Sequence, residues 1–265
     1  MMNRRTTGPA ALVIAAAVFV APIEAQTLLS ASSDGPPAAP VATDAASDRG
    51  TVKRFVRDVG GDYKNFFSVE TALWLGGGGG AALAIHQADQ SIKDSVLDSG
   101  ASLPGGSVYG SEYFQVPLAV AWWAVASAAG SDRHAETGRD LLRAQISVAS
   151  WTYAIKLATN RTRPNGDSHS FPSGHASASF AAAMVLQDHY GWKVGVPAFL
   201  AAGYTAASRV VDNQHWTSDV VFGAALGVAC ARTVTIKYRE SRVSIAPVVT
   251  HKNAGLIVSI ARPQG

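Results

Sequence analysis

Only one cysteine, Cys230, occurs in the 265 residues, so no internal disulfide can staple the fold. It sits in "GAALGVACA" and reads as a small buried apolar residue. Charge is also scarce. Charged residues make up 15% of the chain, against about 25% in an average soluble domain. The net charge is +3, no Lys/Arg-rich run appears, and nothing therefore points to a nucleic-acid partner. A run of five glycines, Gly76 to Gly80, lacks the GK[ST] that completes a phosphate loop, and no strand pattern precedes it. No dedicated metal-ligand pattern is found, so no metal is expected.

What is abundant is apolar: 48% of residues, with many Ala and Gly, a composition that suits tightly packed helices and membrane helices alike. The length suits one domain with extensions. The N-terminus has the parts of an export signal: Arg4 and Arg5, the apolar segment "AALVIAAAVFVAP", and Ala25 at a cleavage position before Gln26. An uncleaved anchor is the alternative, but the apolar stretch is short for a span of about 20 residues. Cleavage would leave 20 basic and 18 acidic residues, a charge of +2. Residues 26–51, rich in Ala, Ser, Pro and Asp with no apolar period, read as a flexible linker, with order beginning near Val52.

From there the pattern predicts an all-α bundle of about six core helices over residues 52–236. The segments are 66–89, 113–130, 140–159, 175–188, 194–207 and 217–233. In the first, the glycine run either admits a close neighbour or interrupts the helix, since each glycine costs about 1 kcal/mol relative to alanine. The tail, 237–265, changes character. Two β-branched runs, "VSIAPVV" and "GLIVSIA", flank "THKNA" and predict a short C-terminal β-hairpin.

Three polar clusters interrupt the apolar pattern. In "KLATNRTRP", Lys156 and Arg163 are seven apart and would share one face of a continuing helix; two solvated bases at a helix end fit equally well. In "SFPSGHAS", Ser173 and Gly174 start an Ala-rich helix whose free N–H groups suit an anion, with His175 beside it; a plain Ser173 cap is the alternative. In "SRVVDNQHWTSD", His215 and Asp219 are four apart, a helical neighbour spacing, and Arg209 offers a planar fork for an oxyanion. A surface His–Asp pair with an unrelated arginine is the plainer reading. Arg161 falls off these positions and is expected at a pocket rim, and Trp216 in the core.

Together the clusters spell K-x6-RP, PSGH and SR-x5-H-x3-D. This pattern resembles the type-2 phosphatidic acid phosphatase and vanadium haloperoxidase superfamily, over roughly residues 60–236. The resemblance implies that Lys156, Arg163, Ser173, Gly174 and Arg209 bind phosphate. It implies that His215 attacks phosphorus, Asp219 orients His215, and His175 protonates the leaving oxygen. Three cationic side chains would leave no need for a cofactor, and vanadate would enter only as a phosphate mimic. The expected enzyme is an exported, membrane-associated phosphatase acting on a lipid phosphate such as phosphatidate or a polyprenyl diphosphate, on the periplasmic side. A soluble periplasmic non-specific acid phosphatase is the alternative. A vanadium-dependent haloperoxidase and a non-catalytic phospholipid-binding protein are weaker ones, because nothing marks a halide site and because anion binding alone needs neither histidine nor Asp219.

Overall fold

The computed structural model describes residues 45–235, 244–250 and 253–259. The expected export signal (1–25), most of the expected linker and part of the hairpin connection lie outside them. The chain forms α1 (Ala45–Asn65), α2 (Val69–His86), α3 (Asp89–Asp98), the four-residue α4 (Gly106–Tyr109), α5 (Glu112–Ala128), α6 (Asp132–Thr159), α7 (Gly174–Tyr190), α8 (Trp192–Val211) and α9 (Thr217–Val234). Two strands, β1 (Ser244–Thr250) and β2 (Asn253–Ser259), pair antiparallel from Ser244↔Ser259 to Thr250↔Asn253. The first helix begins at Ala45, seven residues before Val52, so residues 45–51 are helix rather than linker.

Six long helices, α2 and α5 to α9, make the bundle. The core joins Leu141, Ala144 and Val148 of α6, Ala181, Ala182 and Val185 of α7, and Leu226, Cys230 and Val234 of α9. Three alanines and Cys230 among them let the helix backbones pack closely. The closest approach is between α7 and α9. A Cβ added at Gly227 would lie 2.2 Å from the Ser177 carbonyl oxygen, and one at Gly223 would lie 2.7 Å from the Ser173 carbonyl oxygen. The five-glycine run does not interrupt α2. A Cβ on Gly78 would lie 2.2 Å from the Cβ of Ala225 and one on Gly79 3.8 Å from the Phe222 ring, so these two glycines of the run let α2 pack on α9.

Away from the three motifs, α1 is tied down by buried charge. The Arg143 guanidinium donates to both Asp62 oxygens, at 2.9 and 2.5 Å, and to Asp140 Oδ1 at 2.7 Å. Asp140 Oδ2 in turn lies 3.2 Å from His189 Nε2. The Tyr190 hydroxyl joins the same network through Thr137 at 3.0 Å. His189 and Tyr190, at the end of α7, thereby join that helix to α6. Losing one partner of such a buried pair costs about 3–5 kcal/mol, because the other charge is stranded.

The direction of the helices fixes where chemistry can occur. The C-terminal ends of α6 and α8 and the N-terminal ends of α7 and α9 carry all three polar motifs. α3 and α4 lie at the same end: Asp89 bonds Ser218, and Gly106 sits against Ser208.

Candidate active site

Lys156 lies in the last turn of α6, buried, with Nζ donating to the His169 carbonyl at 2.6 Å. Helix α6 stops at Thr159 because Asn160 takes the left-handed conformation (φ 42°) that ends helices and that asparagine tolerates. Arg163 therefore does not share a helical face with Lys156. It reaches the site from the loop, held by its N–H to the Asp167 carbonyl at 2.7 Å and its Nε to the Ser168 carbonyl at 3.1 Å. Its Nη1 donates to Gln214 Oε1 at 3.0 Å, which ties the first motif to the third.

Ser173 is the N-cap of α7, with Oγ accepting the Ala176 N–H at 3.4 Å. Its own N–H donates to the Asp219 carbonyl at 3.0 Å, joining the second motif to the third. The N–H groups of Gly174 and His175 open the helix, where no intrahelical acceptor exists.

The third motif differs from the expected helical pair. Helix α9 begins at Thr217, so His215 lies in the turn before it. Its N–H donates to the Arg209 carbonyl at 3.1 Å. Trp216 is the N-cap, and Asp219 folds back so that Oδ2 accepts the Trp216 N–H at 2.9 Å. The Asp219 carboxylate thus acts as a cap and faces His215 at once, with Oδ2 3.6 Å from Nδ1. That separation exceeds hydrogen-bond length. His215 is 3% exposed and Asp219 fully buried.

The electrostatics are those of an anion site. Burial pushes the His175 imidazole down to about 4, and the charges of Arg209, His215, Lys156 and Arg163 push the same way. Burial likewise brings Lys156 down to about 8, with Arg163 adding and Asp219 opposing. His215 is held below the usual range by burial; Asp219 pulls it back up, and Lys156 and Arg163 press it down. Among the described residues the buried Nε of Arg209, whose Nη1 bonds Asp212, has no hydrogen-bond partner, and neither has His215 Nδ1. A buried N–H left open is costly unless something else fills it, and at the Arg209 Nε an anionic oxygen would do so.

Three contributors escaped the motif reading. Arg161 is not a rim residue: its Nη1 donates to Asp219 Oδ1 at 2.6 Å and its Nη2 to Asp89 Oδ2 at 2.8 Å. Ser170 Oγ donates to Asp219 Oδ2. Trp216 is not a core residue either. It is half-buried, its Nε1 donates to the Thr162 carbonyl at 2.8 Å, and its ring lies 5.6 Å from the Arg161 guanidinium and 5.7 Å from the Lys93 ammonium. Arg161, two residues before Arg163, is the other base of the loop that follows α6, and that is its only signal in the sequence. Asp89 carries no local signal, since it reaches the site only through the course of α2.

Residues 149–242 match the family model of the PAP2 superfamily. Over 79 residues the chain is 40% identical to a lipid A 1-phosphatase of Porphyromonas gingivalis, covering 28% of this chain and 18% of that protein. It is 35% identical over 79 residues to a lipid A 4'-phosphatase of Helicobacter pylori, covering 30% and 40% respectively. The chain thus spans less than half the length of these curated relatives. In fold it is similar to the first transmembrane PAP2 type phosphatidylglycerolphosphate phosphatase from Bacillus subtilis. That match has a TM-score of 0.54 and 22% identity, and covers 65% of this chain and 96% of that one.

Proposed function

The chain belongs to the PAP2 superfamily, and on that premise we propose that it is an exported, membrane-associated phosphatase that removes phosphate from a lipid through a phosphohistidine. The observation that carries this reading is the cluster of buried Lys156 and Arg209 with half-buried Arg163 beside two imidazoles that burial holds below their usual range, one of them backed by Asp219.

The chemistry follows from the parts. Phosphorus in a monoester is shielded by anionic oxygens, so positive charge must gather on the oxygens that do not leave. Lys156, Arg163 and Arg209 supply it, and Ser173 and the Gly174 N–H add hydrogen bonds. Asp219 faces Nδ1 of His215 and keeps the proton there, so Nε2 holds the free electron pair. Nε2 attacks phosphorus in line, the P–O ester bond breaks, and its electron pair leaves on the alcohol oxygen. His175 protonates that oxygen. The same imidazole then takes a proton from water, whose oxygen attacks phosphorus, and the P–N electron pair returns to His215. A bound phosphate dianion offsets the cations that depress His175, so its proton arrives with the substrate. Charge is balanced by side chains throughout, and no metal enters the scheme.

A lipid substrate is favoured by the flanks of the bundle. Val69, Leu73 and Leu83 on α2, Leu118 and Val125 on α5, and Leu200 on α8 are exposed apolar side chains. Exposed large apolar side chains gathered on helix flanks suit a membrane or partner surface. Helices α8 and α9 are long and apolar enough to cross a membrane, and the site lies at one end of both. The named relatives that act on lipid A and on phosphatidylglycerolphosphate support the same substrate class. Export to the periplasmic side rests on the N-terminal segment alone.

The test is phosphate release by the detergent-purified protein, with EDTA present, from lipid A, phosphatidate and a polyprenyl diphosphate beside a water-soluble phosphomonoester. Preference for one of the lipids is expected. Equal turnover of the soluble ester by protein recovered without detergent would favour the soluble acid phosphatase instead.

The pH dependence should be asymmetric. Lys156 is charged below its depressed value of about 8 and neutral above it, so phosphate capture by the free enzyme weakens as pH rises through that point. We expect kcat/KM to fall about tenfold per unit well above pH 8 if binding needs that one proton. Lys156→Arg should remove this limb, because a guanidinium stays charged. A limb that survives in the variant would assign it to another group.

A further inference from the structure

The orientation of Asp219 is not set by His215. The two are 3.6 Å apart, whereas three shorter bonds reach the carboxylate from elsewhere: Arg161 Nη1, Ser170 Oγ and the Trp216 N–H. Of these only Arg161 carries charge. Its guanidinium is spread flat between two buried carboxylates. Nη1 serves Asp219 Oδ1 at 2.6 Å and Ser218 Oγ at 2.8 Å; Nη2 serves Asp89 Oδ2 at 2.8 Å and His86 Nδ1 at 3.0 Å. Asp89, the first residue of α3, is 3% exposed and also accepts the Ser218 N–H at 2.9 Å and the Ser218 hydroxyl at 2.5 Å. Burial alone would push Asp89 up, but the bonds from Ser218 and Arg161 outweigh it and hold the carboxyl below its usual range.

Resting on the phosphatase reading, we propose that Arg161, fixed by Asp89, is a positioning residue. It aims the Asp219 carboxylate at Nδ1 of His215 and holds it there while the phosphohistidine forms. All four partners of its Nη atoms are protein groups, so Arg161 acts through Asp219 and not on the phosphate. The cation also does what a neutral donor cannot. Without it two buried carboxylates flank Ser218 with no charge between them, and one of them takes a proton. Without that cation the Asp219 carboxylate also loses its shortest charged contact and can turn away from Nδ1, where it would offset the positive imidazole of the intermediate. Lys156 is the other cation acting on Asp219, and it is committed to the phosphate side.

Four variants test this: Arg161→Ala, Arg161→Lys, Asp89→Asn, and the double variant Arg161→Ala with Asp89→Asn. For Arg161→Ala, kcat should fall about 100-fold, the scale of a catalytic group misplaced by 1 Å, with KM within threefold of wild type. The double variant should recover at least about tenfold in kcat over Arg161→Ala, since it removes the like charge that the cation had separated. Arg161→Lys should lie between, keeping the charge and losing the fork. A loss expressed in KM alone, a kcat within threefold of wild type, or a double variant no better than Arg161→Ala would each overturn the proposal. The nitrogen resonances of 15N-labelled His215 give a readout that needs no turnover. The Nδ1–H tautomer should dominate in wild type and be lost in Arg161→Ala, and an unchanged tautomer would also overturn it. A wild-type protein that releases no phosphate would instead sink the functional reading, leaving the tautomer to judge Arg161.

Discussion

Replacing His215 with asparagine is expected to lower kcat by at least about 10⁴-fold, the scale seen when the nucleophile of a covalent mechanism is removed. The size follows from what remains. Lys156, Arg163 and Arg209 still gather the phosphate, so KM should change little. Nothing else near the phosphate offers an electron pair in the right place. His175 carries its proton once the substrate is bound, and its part in the scheme is at the leaving oxygen. Arg161 and Ser170 are spent on Asp219. Asparagine keeps a polar group at a site 3% exposed and limits the cavity, so thermal melting should show a folded protein. Quenched wild-type reactions should carry covalent phosphate that is stable in base and lost in acid, as expected of phosphohistidine; the variant should carry none. Turnover within tenfold of wild type would end the assignment of His215 as nucleophile.

How far the sequence foretells this arrangement depends on the range over which each feature is decided. The six long apolar segments correspond to α2 and α5 to α9, because apolar runs and their breaks are local properties. The eight motif residues named for the site all lie at one end of the bundle, since each motif sits where a long helix starts or stops. Local geometry was read less well. The spacing of Lys156 to Arg163 and of His215 to Asp219 fits a helix, yet Asn160 ends α6 before Arg163, and α9 starts after His215. Helix ends are decided by single capping residues, which periodicity does not report. The supports were hidden for another reason. Asp89 lies 129 residues from Ser218, and Asp62 lies 81 from Arg143, so only the packed fold brings them together. Long-range charge pairs leave no trace in spacing.

The second large effect is expected from a residue that touches no substrate. Gly227→Val should destabilise the protein by more than about 3 kcal/mol, above the usual cost of overpacking, and abolish activity in whatever remains folded. The reason is the atom that the new Cβ meets. It would lie 2.2 Å from the Ser177 carbonyl oxygen and 3.0 Å from the Ala181 nitrogen, both backbone of α7. Side chains can rotate away; a helix backbone can only move as a unit, and here that means α7 parting from α9. Those two helices carry His175 and Asp219, so the acid and the charge couple would separate together. One turn closer to the site, a Cβ on Gly223 would lie 2.7 Å from the Ser173 carbonyl, and Gly223→Ala should show a smaller loss of stability with a disproportionate loss of kcat. Gly80→Ala supplies the contrast. No atom lies within 4 Å of its added Cβ, so the helix should gain about 0.5–1 kcal/mol from lost chain freedom in the unfolded state. Melting temperatures in one detergent should therefore move in opposite directions for Gly80→Ala and Gly227→Val. If Gly227→Val melts with wild type, the α7–α9 seam is looser than its glycines require, and the close approach of these helices is not what holds the site together.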